Sequence, residues 1–176
     1  MTNSGWRKRQ IKESKLFVIG IDPGARGAVA ILEKNGRLVH VFEMPAVEIM
    51  SGGKSKRRVS PEMLASELGL YADEGAVAVV EQVGAMPGQG VTSMFAFGES
   101  FGLVKGVLAG LGVVTSTVTP SKWKKALGVN AGKDGSRAKA AQLWPSQAHE
   151  FKRVKDDGKA EACLLAEWKR CNAGIE

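Results

Sequence analysis

Four acidic side chains stand where a shared chemistry is available to them. Asp22 closes the apolar run LFVIGID just before a Pro-Gly turn, and Glu81 closes a second apolar run, AVAVVE. Asp157 and Glu161 are four residues apart in a C-terminal helical pattern and so share one helix face, whereas Asp156 points elsewhere. Carboxylates converging from two strand ends and a helix repel one another unless a cation lies among them. Oxygen donors without His or Cys select Mg²⁺ or Mn²⁺. Two such ions about 4 Å apart activate a water, bind a phosphate and stabilise the leaving oxygen, which is phosphodiester hydrolysis without a protein nucleophile. Singly, each acid has an ordinary structural use as a turn residue, a strand end, an N-cap or a surface helical acid. Their joint placement makes the case.

The elements that must position them follow from pattern. LFVIGID, GAVAILEK and RLVHVFEM read as three antiparallel strands, the last two joined by the hairpin dipeptide Asn35-Gly36. AVEIMSGGKSKRRVS, with Gly52, Gly53 and a basic cluster, reads as an exposed loop. Ser60, Pro61 and Glu62 start a helix whose apolar face is Met63, Leu64, Leu68 and Tyr71. After the strand ending at Glu81 and the loop GAMPGQG, a helix is expected from about Thr92 to Leu111. In it Gly98, Gly102, Gly106 and Gly110 recur every fourth residue, a stripe for close approach of the protein's own sheet or of a second copy. A strand in GVVTSTVTP, a short basic helix SKWKKALG and a helix over about 136–143 follow, then a loop over 145–156. The last helix covers about 157–170, with Ala160, Cys163, Leu164 and Trp168 on one side. The order βββαβαβααα describes a mixed sheet flanked by helices.

A chain of 176 residues, 44% hydrophobic, suits one domain with a buried core: a basic flexible arm over 1–15 and one folded unit over 16–172. The formal net charge of +7 favours an acidic partner, nucleic acid foremost. Cys163 and Cys171, eight apart, fit neither a metal motif nor a disulfide framework, and point to a reducing setting. The polar, basic N-terminus lacks a signal-type apolar stretch, and no run is long enough for a membrane span, so a cytoplasmic protein is expected.

The motifs VIGIDPGARGAVAIL, AVVEQV with the Gly-spaced FGESFGLVKG, and KDDGKAEACLLAEW together resemble the RuvC-type Holliday junction resolvases of the RNase H-like superfamily, most closely phage and prophage members. The resemblance runs from about residue 16 to 170. It implies an α/β RNase H-like fold with a five-stranded mixed sheet flanked by helices, a homodimer, two Mg²⁺ per active site with Mn²⁺ as a substitute, and paired symmetric nicks in a four-way DNA junction. The bacterial cytoplasm, or that of a phage-infected host, is the implied location. Asp22 and Glu81 match the family's first two metal-binding acids, and Asp157 and Glu161 its closing pair. The family usually ends in Asp, often at a spacing of three, so Asp156 stands as an alternative to Asp157.

Candidate phosphate contacts are Lys54, Lys56, Arg57, Arg58, Lys122, Lys124, Lys125 and Lys155, with Lys133, Arg137, Lys152 and Arg153 as further members of the basic group. Met86 and Pro87 follow Glu81 closely enough to probe an opened junction centre. Trp123 among lysines either stacks a base or belongs to the core, as does Trp144. His40 and His149 lack partners at ligand spacing. Competing activities are another nuclease of the same fold, acting on flapped DNA, RNA:DNA hybrid or structured RNA, and a catalytically silent nucleic-acid binder. An ATP-binding module of the actin type needs two lobes, which this length does not supply.

Overall fold

The computed structural model describes residues 17–82, 84, 88, 90–132 and 134–172. The N-terminal arm, Met86, Pro87 and Lys133 lie outside them. β1 (Phe17–Asp22), β2 (Ala28–Glu33), β3 (Leu38–Glu43), β6 (Val77–Glu81) and β7 (Val114–Val118) form a five-stranded sheet in the order β3-β2-β1-β6-β7. β1 pairs antiparallel with β2 and parallel with β6, which is the mixed α/β sheet expected. Asn35-Gly36 closes the β2–β3 hairpin, with Gly36 at φ 89° and its N–H donating to the Glu33 carbonyl.

The sheet divides the core in two because strand side chains alternate faces. Ile19, Ile21, Val29 and Ile31 pack against Leu64 and Leu68 of α1 (Pro61–Asp73) and Val104 and Leu108 of α2 (Val91–Gly110). Val18, Ala30, Leu32 and Val79 face α5 (Asp157–Asn172), with Trp123 of α3 (Pro120–Ala126) and Trp144, just after α4 (Gly135–Leu143), completing that side. β1, buried on both faces, reads as a continuous apolar run for that reason. Ser60 caps α1 through its Oγ, which accepts from the Met63 N–H, and Pro61 opens the helix.

Four expectations are corrected. The segment read as a loop is a second sheet, a two-stranded ribbon of β4 (Ala46–Ser51) and β5 (Lys54–Val59). Gly52 and Gly53, at φ 59° and 73°, make the two-residue turn that joins right-twisted strands. Residues 145–156 are largely 3-10 helix, tied down by Phe151 in the core. Met63 is 50% exposed, so the inner face of α1 is Leu64 and Leu68, with Tyr71 edge-on to Phe17 beside them. α5 is buried nearly all round, Ala162, Leu165 and Ala166 included, because sheet, α4 and the 3-10 segment enclose it.

The glycine stripe of α2 is exposed, and a Cβ built at Gly98, Gly102, Gly106 or Gly110 meets nothing within 4 Å. Close packing on the protein's own sheet is therefore not its use. The inward face of α2 is Ser100, Val104 and Leu108.

Candidate active site

Asp22 and Glu81 end adjacent parallel strands, one residue beyond the Ile21–Val80 register pair. Both belong to the alternation that faces α5, since Val18 and Val79 on the same strands pack in that half of the core. The carboxyl ends of parallel strands are the usual location of sites in α/β sheets.

α5 can come close to them because of glycine. A Cβ on Gly20 would lie 2.1 Å from the Ala162 carbonyl oxygen and 2.5 Å from the Ala166 nitrogen. Only a bare backbone on β1, opposite two alanines on α5, permits that approach. Gly158 repeats the device one level up, where a Cβ would stand 3.2 Å from Asp22 Oδ2. Helix α5 thereby delivers Glu161 to the strand ends.

Burial, then the negative charges of Glu81 and Glu161, push the Asp22 carboxyl up to about 7, against the Gly24 N–H that donates to its Oδ1 and the positive Lys124. Glu81 is also raised, mainly by burial, with the Glu161 charge adding to it. The Trp123 indole opposes this: its Nε1–H donates to Glu81 Oε1 at 2.8 Å. Glu161 accepts from Lys124 Nζ at 2.7 Å and Ser136 Oγ at 3.3 Å. Three carboxylates and one ammonium thus share this corner. The cation they require in the abstract is present as a lysine.

The remaining acids stand differently. Asp157 accepts from Arg137 Nε at 2.6 Å, and that guanidinium also bonds Asp134 and the Lys152 carbonyl. Asp156 is buried and accepts from the Arg153 backbone N–H at 2.8 Å and from its guanidinium, which holds its carboxyl below the usual range. It caps the 3-10 turn over Val154–Asp156 and does not join the corner.

The basic candidates fall into two groups. Arg57 and Arg58, near the root of the β4–β5 ribbon, line a cleft of about 540 Å³ together with Asp22, Arg26, Gly27 and Phe97. Lys54 and Lys56 lie farther out on the same strand, exposed. Lys122 sits over the Trp168 ring at 5.7 Å and Lys124 over Trp123 at 5.1 Å, while Lys125 and Lys155 are exposed. Trp123 is fully buried and Trp144 nearly so, its Nε1–H donating to the Gly36 carbonyl, so both belong to the core. Sequence reasoning missed the Trp123 bond to Glu81, the Lys124 bond to Glu161 and Arg26 in the cleft. The run WKK carried the first two as a signal, but their partners are distant in sequence.

No protein-family model matches the chain. Over 85 residues it is 34% identical to Holliday junction resolvase MOC1, chloroplastic, of Chlamydomonas reinhardtii, covering 47% of this chain and 10% of that protein. The chain therefore spans about a tenth of the length of this curated relative. Among solved structures, T. thermophilus RuvC in complex with Holliday junction substrate matches with a TM-score of 0.56 and 17% identity, over 91% of this chain and 96% of that one. A second Thermus thermophilus RuvC structure matches with a TM-score of 0.56 and 18% identity over the same shares. The fold is that of RuvC.

Proposed function

We propose that this chain is a RuvC-type resolvase, a metal-dependent endonuclease that cuts four-way DNA junctions by paired symmetric nicks. The observation that carries the reading is the corner itself: on a RuvC fold, burial and the charge of Glu161 raise both Asp22 and Glu81, and Asp22 in turn lines a cleft that Arg57 and Arg58 also line. A linear acidic polymer fits a cleft that is cationic along one wall and anionic at one end only if cations complete the acidic end.

The donor set fits Mg²⁺, with Mn²⁺ as a substitute, because it is all carboxylate oxygen. Among the described residues no three acid, His or Cys side chains already enclose a point for an ion, and Glu161 is held to Lys124. Asp22, Glu81 and Glu161, with Asp157 one turn away, would hold the two ions once Lys124 releases Glu161 and Arg137 releases Asp157. Ions held there would supply the positive charge that lowers the pKa of a bound water and offsets the charge of a scissile phosphate. The chain does the rest. Trp123 fixes the Glu81 carboxylate, Gly24 fixes Asp22, and Arg26, Arg57 and Arg58 bind the strand on either side of the cut.

Two symmetric nicks need two sites related by a two-fold axis. The exposed glycine stripe of α2, flanked by Val91 (78% exposed) and Phe95 (73% exposed), supplies an unpartnered apolar face for a second copy. A sedimentation mass of one chain at working concentration would remove the homodimer from the proposal.

The test is cleavage of a labelled four-way junction beside matched duplex, flap and RNA:DNA hybrid, with Mg²⁺ or EDTA. Paired, symmetric, EDTA-sensitive nicks confined to the junction are expected. Equal cutting of all substrates would indicate a general nuclease of this fold, and binding without cutting a silent binder.

Trp123 acts here as a positioning residue. Trp123→Phe keeps a buried aromatic and removes the donor from Glu81, so metal affinity is expected to fall about tenfold. The acidic limb of the pH–rate profile should shift to higher pH, because the bond that favours ionised Glu81 is gone. An unmoved profile would reduce Trp123 to core packing.

A further inference from the structure

We infer that the β4–β5 ribbon is an arm clamp: it lies along a duplex arm leaving the cleft, and its grip adds the affinity that distinguishes a branched substrate from a linear one. The inference rests on the reading of the chain as a junction nuclease and says which part of the molecule senses the branch.

Three features of the ribbon lead there. It is a sheet by itself, paired with no strand of the five-stranded sheet. Its root is fixed: Val59 is buried, the Ser60 N–H donates to the Pro45 carbonyl at 2.9 Å, and Arg58 reaches Glu99 on α2 at 3.1 Å. Its outer half is not, since Lys54 and Lys56 are exposed and neither makes an ion pair among the described residues. A ribbon held at one end and free at the other projects from the body.

Charge and dimensions fit a duplex. The ribbon carries Lys54, Lys56, Arg57 and Arg58 against the single acid Glu48. Alternation sets Lys54, Lys56 and Arg58 on one face, a row of cations that ends in the cleft beside Asp22. At about 3.3 Å per residue a six-residue strand reaches about 20 Å, the rise of about six base pairs. A two-stranded ribbon is also of a width that the major groove of DNA admits. Near the tip, Met50 is 73% exposed, an apolar group on a cationic finger. Two lysines at the outer end, continuous with two arginines at the cleft, would not suit a protein partner unless it were strongly acidic. With the scissile strand at the root, the polymer that continues along the ribbon is the arm itself.

The experiment measures binding by an Asp22→Asn protein, so that no cutting intervenes, to fluorescent four-way junctions with arms of about 5 or about 15 base pairs and to linear duplex. A second protein adds Lys54→Ala and Lys56→Ala at exposed positions, with melting temperature as the folding control. The parent should bind long-armed junctions about tenfold more tightly than short-armed ones, and the tip variant should lose that difference. Its logarithmic salt dependence should be shallower by about two on the long arms, one for each phosphate contact removed. A tip variant that keeps the arm-length difference and the slope overturns the clamp. So does one that weakens short and long arms equally, which would mean diffuse charge. A parent that does not prefer the junction to linear duplex at either arm length overturns the junction reading itself, a different outcome from either.

Discussion

Asp22→Asn is expected to remove cleavage, by a factor of a thousand or more, and at the same time to raise the melting temperature of the metal-free protein at pH 8. The stability half follows from electrostatics. Asp22 ionises near 3.8 in an unfolded chain but only at about 7 in the fold, where burial and two neighbouring carboxylates oppose its charge. Between those values the folded state holds the proton and the unfolded state has lost it, so the contribution of this group is favourable below about pH 4 and is lost as pH rises through 7. The interval corresponds to roughly 4 kcal/mol for complete ionisation. An amide carries no charge and still accepts from Gly24. Recovering about half of that energy raises the melting temperature by about 5 °C at pH 8. Near pH 4 the two proteins should melt together. Mg²⁺ should reverse the order at pH 8, stabilising wild type and leaving the variant nearly unchanged. A variant that melts below wild type at pH 8 without metal would contradict the electrostatic account.

Gly20→Ala is expected to cost about 3 kcal/mol or more in denaturant unfolding, although it adds one methyl group. The obstacle is backbone, the Ala162 carbonyl at 2.1 Å and the Ala166 nitrogen at 2.5 Å, which no rotamer change relieves. α5 must withdraw, and Glu161 goes with it, so activity should fall together with stability. The control is Gly69→Ala in α1, where a Cβ meets nothing within 4 Å and the change should stabilise by about 1 kcal/mol. A loss below 1 kcal/mol at Gly20 would mean that α5 slides freely on the sheet.

These two residues also mark what was legible in the sequence. GID was readable as a strand end with an acid because a short β-branched apolar run and the Pro-Gly turn are local signals, and Glu81 was readable from the apolar run it closes. The importance of Gly20 was not, since its reason lies at Ala162 and Ala166, more than a hundred residues away. That Arg153 takes Asp156 into a local cap, while Arg137 takes Asp157, is likewise something helical geometry alone does not reveal. The ribbon was misread for a different reason. Gly52-Gly53 between VEIM and KSKRRV is a hairpin signal, but the dense positive charge on β5 masks the alternation, because both faces of a projecting strand stay wet.

The way the ribbon joins the body has a consequence for how such a protein can be altered. Pro45 and Ser60 are already hydrogen-bonded across its base, so the chain leaves the body and re-enters it at one spot. The ribbon's outer part is a cassette. Residues 47–56 can be shortened, lengthened or exchanged for another hairpin while Arg57, Arg58 and the buried Val59 stay with the body and α1 still begins where it does. Substrate reach is thereby separable from the cutting machinery, a property that recombination between genes can exploit as readily as an engineer.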